Sequence, residues 1–267
     1  MWQEHFKQLY NSCSNTARSE RFQNKVMREE SMNNVANLHV VSVYDVLFAM
    51  SELKTGKAVG PDGIPSEAFI YGGHRLAVLL CYFFNACLLY GYLPPAFTAS
   101  VIVPIIKNKA GQLSDVNNYR AIAIANACSK VLESIIYKYV ATIDGCITDD
   151  PHQFGFKRGH STDICTYVLK NTVRYYTLRN SHVFSCFVDF NKAFDNVDYW
   201  LLFSKMYDMF LDAKAKCFIR LLACWYSTQT TFVRWQNAES VSFSIANGVR
   251  QGGILSPFLF RIYIRDL

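Results

Sequence analysis

The sequence predicts an α+β fold. Apolar residues make up 51% of its 267 positions and charged residues 18%, the balance of a chain that buries a sizeable core. Helix-spaced and β-branched stretches follow in the order α, α, β-β, α, α, β, α, α, β-β, α, which mixes hairpins with helices. No internal repeat, low-complexity tract or Pro/Gly/Ser-rich linker breaks that order.

Residues 1–37 are polar with Asn and Ser clusters, and predict a helical, partly mobile lead-in. Apolar residues at 43, 46, 47 and 50 give helical spacing from Ser42 to Leu53, with Ser42 placed to cap the helix. The stretch Lys57-Ala-Val-Gly-Pro-Asp-Gly63 predicts a tight turn, because Pro61 presets its backbone angle and Gly63 lets the chain leave. A helix starts at Ser66, and a buried one covers 76–90. Leu76 to Leu93 carries no charge, but Asn85, Gly91 and Pro94-Pro95 favour a buried helix over a membrane span. Ala99 to Ile106 is a β-branched strand in which Pro104 implies an edge or a bulge. The basic loop at Lys107 leads to a second strand, Tyr119 to Ile124. Ser129 to Tyr139 is helical, with Lys130 and Glu133 on its polar side.

After Asp149-Asp150-Pro151 a Gly-containing loop leads into a helix from Ser161 to Leu178. Val183 to Phe190 predicts a strand, 196–210 and 214–226 helices, 228–235 and 241–246 strands. A turn at Gly248–Gly253 opens the last helix.

Charge and cysteine usage bound the function. A net charge of +6 permits a polyanionic partner without requiring one. Nine cysteines with no CxxC pair fit reduced, mostly buried thiols of a nuclear or cytoplasmic protein, with no disulfide-linked partner and no zinc site. The first residues are polar, unlike a secretory signal, so the chain is expected neither to be secreted nor to enter a membrane.

The run Phe184-Ser-Cys-Phe-Val-Asp-Phe-Asn-Lys-Ala-Phe-Asp195 is the most informative segment. An apolar stretch delivers Asp189 at its end, with Phe194 five residues on. That arrangement suits a carboxylate holding a divalent metal beside a triphosphate while an aromatic gates the sugar. It equally suits a buried strand whose Asp caps the next helix.

Five ordered motifs make the chain resemble the reverse transcriptases of non-LTR (LINE-like) retrotransposons. They are Gly60-Pro-Asp62-Gly-Ile64 with Glu67, then Pro104-Ile-Ile-Lys107 with Asn118-Tyr-Arg120, Lys130 and Glu133. Gln153-Phe-Gly-Phe-Lys157-Arg158-Gly-His-Ser-Thr162 comes third and the Asp189 run fourth. Gly248-Val-Arg-Gln251-Gly252-Gly-Ile-Leu-Ser-Pro257 closes the series. The resemblance spans about residues 40–267.

It implies a right-hand polymerase with a lead-in over 1–40, a fingers-like region over 41–180 and a partial palm over 181–267. The implied chemistry is two-metal nucleotidyl transfer with Mg2+, an RNA template, a DNA primer and dNTPs. Asp189 would ligate metal, with the Phe190 carbonyl as a further oxygen. Lys107 and Arg120 would hold triphosphate, Phe194 would exclude a ribose 2′-hydroxyl, and Gln251 and Gly252 would lie under the nascent base pair. Lys157, Arg158 and His160 would contact template phosphate. Gly60 and Asp62 would either line the template or form only a turn. Asp195 and Asp198 are expected to be structural, and His5 to have no special role.

The sequence departs from the family in two respects. Ala121 stands where Pro often follows Tyr-Arg. No aromatic-Ala-Asp-Asp element appears before Leu267, and neither a thumb nor an endonuclease is expected within these 267 residues. One carboxylate cannot hold two magnesium ions, so this polypeptide alone is expected to have little polymerase activity. A non-catalytic nucleic-acid-binding remnant is the alternative.

Overall fold

Strand β1 (Ser100–Ile106) organises the molecule: it pairs antiparallel with β2 (Tyr119–Ala125) and parallel with β3 (Thr230–Trp235). The computed structural model describes residues 1–12, 16–30, 41–147, 152–156 and 159–266. Short strands β4 (Ala238–Glu239) and β5 (Phe243–Ser244) both pair antiparallel with β3, completing a five-stranded sheet. β-Branched residues at 101, 102, 103, 105 and 106 favour the extended backbone of β1.

Pro104 sits inside this central strand, opposite Ala121. Lys107 donates its N–H across to the Asn118 carbonyl, so even-numbered residues of β1 face β3. The parallel pairing with β3 stops at Ile102, so the proline's missing donor falls where none is needed. The strand is internal and only locally an edge.

Eleven helices lie among the described residues. They are α1 (Trp2–Leu9), α2 (Thr16–Glu30), α3 (Val43–Ser51), α4 (Ser66–Ile70), α5 (Gly73–Tyr90) and α6 (Pro95–Thr98), then α7 (Ala127–Ile147), α8 (Thr162–Thr177), α9 (Tyr199–Met209), α10 (Ala213–Thr228) and α11 (Ser256–Tyr263). Ser42 caps α3 in a full capping box. Asp45 N–H donates to Ser42 Oγ at 3.1 Å and Ser42 N–H to Asp45 Oδ2 at 3.1 Å. Helix α4 starts after Pro65, and Ser66 is buried rather than capping. Gly91 at φ +59° ends α5, as a left-handed stop requires.

Helix α10 is the centre of the core. It buries nine side chains, among them Phe218, Leu221, Leu222, Trp225 and Tyr226, against Tyr199, Phe203 and Met206 of α9. Each full burial of such a side chain contributes about 1.5–3 kcal/mol. Helix α5 has the length and apolarity of a membrane span, but only its Ala77, Leu80, Phe84, Cys87 and Leu88 face is buried. Leu79, Tyr82, Leu89 and Tyr90 are exposed, so the expectation of a wholly buried helix is corrected to a one-faced one.

Three further expectations change. The lead-in is not loose where it is described: Phe6 and Tyr10 are buried, and the Trp2 ring packs edge-on against Tyr119 and at a tilt against Trp235. The described cysteines are free thiols, with Cys87 and Cys217 buried but Cys165 and Cys186 exposed. Residues 183–190 form no strand. The outer side of β2 is engaged by Gln251, whose carbonyl accepts the Ala123 N–H at 2.8 Å, and β4 and β5 pair with β3. A strand needs a hydrogen-bonding neighbour, and among the described residues none reaches this segment. Phe184, Phe187 and Val188 stand exposed, and neighbouring α8 buries no side chain.

Candidate active site

The β1–β2 hairpin presents Lys107 just past one strand and Arg120 near the start of the other. Ile105 faces Arg120 across the ladder, which brings the two cations to one end of the sheet. Lys107 Nζ donates to the Asn117 carbonyl at 2.8 Å, and Lys192 Nζ reaches Asn117 Oδ1 at 3.3 Å. Both ammonium groups are therefore held at the same loop.

The turn at Gly248–Gly253 docks directly on this hairpin. Gln251 bridges to Ile122 in parallel fashion. Gly252 has φ +113°, and a Cβ there would lie 3.0 Å from the Ala123 carbonyl oxygen. Its glycine requirement therefore comes from the backbone of β2.

A buried ion pair anchors the turn from below. Arg250 pairs with Glu133 of α7, and Glu133 Oε2 also accepts the Ile254 N–H at 2.8 Å. The Arg250 guanidinium lies 4.7 Å from the Trp225 ring centroid and 5.8 Å from that of Tyr226. Glu133 is thus buried, which corrects its expected place on the polar side of the helix, and Lys130 is half-buried.

Between these parts lies an open cleft of about 710 Å³. Lys107 and Arg120 line it from the hairpin; Asp189, Phe190, Lys192, Phe194 and Asp195 from the 189–195 run; and Arg250, Gln251 and Gly252 from the turn. Every residue expected to hold metal or nucleotide is therefore at one site. Phe194 lines the cleft and also packs on Phe260, with ring centroids 4.9 Å apart, and on Phe156 at 5.9 Å. The residue expected to gate the sugar is thus also a packing residue.

The two carboxylates of the 189–195 run differ. Asp189 is exposed at the cleft. Asp195 is buried, and it accepts hydrogen bonds from Gln251 Nε2 at 2.8 Å and Tyr10 Oη at 3.2 Å. Burial raises its pKa above the usual carboxylate range, against the pull of Gln251, Tyr10, Lys107 and Lys192. Asp198 caps α9, accepting from Trp200 and Leu201 N–H at 2.9 and 3.0 Å, and pairs with Arg18 at 2.8 Å. Asp198 thus has the cap and salt-bridge role expected of it, whereas Asp195 lines the cleft and is held by Gln251 and Tyr10.

Among the described residues no cluster of three or more His, Cys, Asp or Glu side chains could hold a metal. Magnesium asks for an octahedron of oxygens. Asp189 and the Phe190 carbonyl would supply part of such a shell, and Asp195 is already engaged, so these residues do not fit a complete two-metal site. Burial pushes the Cys87 thiol up to about 11 and that of Cys128 up to about 12, so both stay protonated near neutral pH.

Gly60 and Asp62 sit apart from the residues lining the cleft, in a turn closed by Gly63 N–H on the Gly60 carbonyl at 3.1 Å. A Cβ on Gly60 would lie 2.4 Å from Asn126 Oδ1, which also accepts the Asp62 N–H at 3.3 Å. The turn is pinned to the end of β2, which supports the structural side of the two readings. Lys157 and Arg158 lie outside the described residues, as do Asp149, Asp150 and Pro151. His160 contacts the Phe154 ring at 5.8 Å.

One cleft residue and one neighbour of the cleft escape sequence reasoning. His5 of α1 lines the cleft beside Phe6 and Leu9. Burial lowers its pKa first, then Lys192 and Lys107. Tyr10 ends α1 185 positions before the acid it contacts. The pairing of polar Glu4 and Lys7 with apolar Trp2, Phe6 and Leu9 marks α1 as amphipathic, but that spacing does not say what it covers.

Comparison with known proteins identifies the family of the chain. Residues 106–267 match the family model described as reverse transcriptase (RNA-dependent DNA polymerase). The chain is 28% identical over 228 residues to the RNA-directed DNA polymerase from mobile element jockey of Drosophila funebris, covering 85% of this chain and 24% of that protein. It is 26% identical over 235 residues to the jockey polymerase of Drosophila melanogaster, covering 86% and 25%. A Pol polyprotein from type-1 retrotransposable element R2 of Popillia japonica is 28% identical over 185 residues, covering 67% and 24%. The chain thus spans about a quarter of the length of these relatives.

Proposed function

We propose that this chain, which belongs to the reverse transcriptase (RNA-dependent DNA polymerase) family, carries the nucleotide-binding part of a retrotransposon RNA-directed DNA polymerase. The observation that carries this reading is convergence. Three segments far apart in sequence, around Lys107–Arg120, Asp189–Asp195 and Arg250–Gly252, meet at one cleft of nucleotide size.

Lys107, Arg120 and Lys192 give the cleft a cationic rim suited to a triphosphate, the Arg as a fork and each Lys as a point charge. Phe194, which lines the cleft, would crowd a ribose 2′-hydroxyl and so favour deoxynucleotides. Residues 41–180 would serve as fingers and 181–267 as a partial palm. RNA template and DNA primer would be the partners, met through a chain of net charge +6. Magnesium, when bound, would stabilise the charge on the attacking and leaving oxygens. Asp189 and the Phe190 carbonyl are its candidate ligands here.

Because these supply only part of the coordination shell, the chain by itself should bind dNTP yet extend a primer poorly. Purified protein assayed with magnesium, primer–template and dNTPs tests this beside Lys107→Ala and Asp189→Ala. The expected result is dNTP binding weakened by Lys107→Ala, with little extension. Robust extension abolished by Asp189→Ala would overturn the claim of poor activity. Absence of dNTP binding would leave the non-catalytic remnant as the better reading.

A further inference from the structure

We propose that Asp195 and Tyr10 are positioning residues for Gln251, fixing its side-chain amide in one orientation toward the nucleotide cleft. The inference rests on the nucleotide reading of that cleft and adds to it two residues outside the binding set.

Gln251 has two chemically opposite ends, an acceptor Oε1 and a donor –NH2. An ionised carboxylate only accepts, so Asp195 Oδ1, 2.8 Å away, takes the Nε2 end; the reversed amide would set two acceptors against each other. The carbonyl end is thereby left for the cleft that Gln251 lines. It becomes a fixed acceptor for a hydroxyl or amino donor of a bound nucleotide. Tyr10 spends its hydroxyl proton on the same Asp195 oxygen at 3.2 Å, which steadies the carboxylate from the other side.

Tyr10 is itself locked in place. Ala246 and Asn247 N–H donate to its carbonyl at 2.8 and 3.1 Å. The Asn247 side chain donates to the carbonyls of Leu9 at 3.1 Å and Asp195 at 2.7 Å. A Cβ on Gly248 would lie 2.7 Å from the Asp195 carbonyl oxygen, so the two segments touch backbone to backbone. The end of α1, the loop at 195 and the turn at 248–251 therefore form one unit.

Stability alone does not account for an acid at position 195. Its side chain is buried against two neutral donors; among the described residues it forms no salt bridge, and Lys107 and Lys192 offset its desolvation only in part. An asparagine would fill the same space without that cost. Both donors meet the one oxygen Oδ1, so an asparagine carbonyl in that place can accept both, more weakly than a carboxylate, whereas leucine removes the acceptor altogether.

The test uses the full chain labelled with 15N-glutamine, together with binding of N-methylanthraniloyl-dATP and magnesium. The Gln251 side-chain pair is identified as the one lost in Gln251→Met. In the unaltered chain it should lie away from the free-glutamine shift and exchange slowly. Tyr10→Phe and Asp195→Leu should move it and speed its exchange, while thermal melting confirms both variants fold. Asp195→Leu should weaken the dATP analogue about tenfold, the equivalent of one lost hydrogen bond. Asp195→Asn keeps an acceptor oxygen and should keep the Gln251 signals close to those of the unaltered chain. Unchanged Gln251 signals in Asp195→Leu, or that variant binding the analogue as tightly as the unaltered chain, would overturn the proposal. Absence of binding by the unaltered chain overturns the nucleotide reading instead, and the amide signals then decide the orientation claim by themselves.

Discussion

Glu133→Ala is expected to be the most damaging single truncation around the cleft. The Glu133 and Arg250 side chains are 1% and 4% exposed, so neither charge can turn to water when its partner goes. Breaking such a pair from one side costs about 3–5 kcal/mol, because a buried charge is left uncompensated. The Ile254 N–H also loses its acceptor. Against this, the Trp225 face 4.7 Å from the guanidinium retains some attraction for the cation, which favours the lower end, about 3 kcal/mol. In a chain of this size each kcal/mol moves Tm by about 2–4 °C, so a fall of roughly 6–12 °C is expected. Urea unfolding measures the free energy directly. The double variant Glu133→Leu with Arg250→Met removes both charges and should recover most of the loss. A cost below about 1 kcal/mol for Glu133→Ala, or a double variant no better than the single one, would refute the view that this pair anchors the turn.

Two further outcomes follow from the same geometry. Gly252→Ala should destabilise the protein by about 1–3 kcal/mol in urea unfolding and weaken dNTP binding, since its φ of +113° and the 3.0 Å approach to the Ala123 carbonyl leave no room for a methyl group. Asp195 has a folded-state pKa raised mainly by burial, so the folded state holds its proton more tightly than the unfolded chain. Its contribution is present below the ordinary carboxylate pKa and is lost as pH rises through the raised value. Asp195→Asn should therefore flatten that part of the stability–pH profile, and an unchanged slope there would contradict the burial argument.

Local chemistry was legible wherever an element's cause is local. Ser42 announces the cap of α3 and Gly91 the end of α5 because side-chain oxygen and a left-handed φ act within one turn of the chain. The hairpin carrying Lys107 and Arg120 was legible for the same reason, and the ordered motifs placed the cleft residues together. Long-range partners were not legible. Nothing near Glu133 says that Arg250, 117 positions away, will bury it, and nothing near Tyr10 points to Asp195.

The stretch 183–190 shows where pattern reading stops. Its apolar residues have strand propensity, but propensity is realised only through a neighbour's backbone. Here β2 spends its outer donor on Gln251, and the segment stays unpaired with Phe184, Phe187 and Val188 exposed. Yet Asp189 still arrives at the cleft, because the turn after it is held independently. Asp195 N–H donates to the Lys192 carbonyl at 3.0 Å, Val249 N–H to that of Phe194 at 2.7 Å, and Gly248 N–H to that of Val197 at 2.8 Å. The position of the acid is thus set from its C-terminal side, by the loop that Gln251 and Tyr10 grip, and not by the strand its sequence suggests.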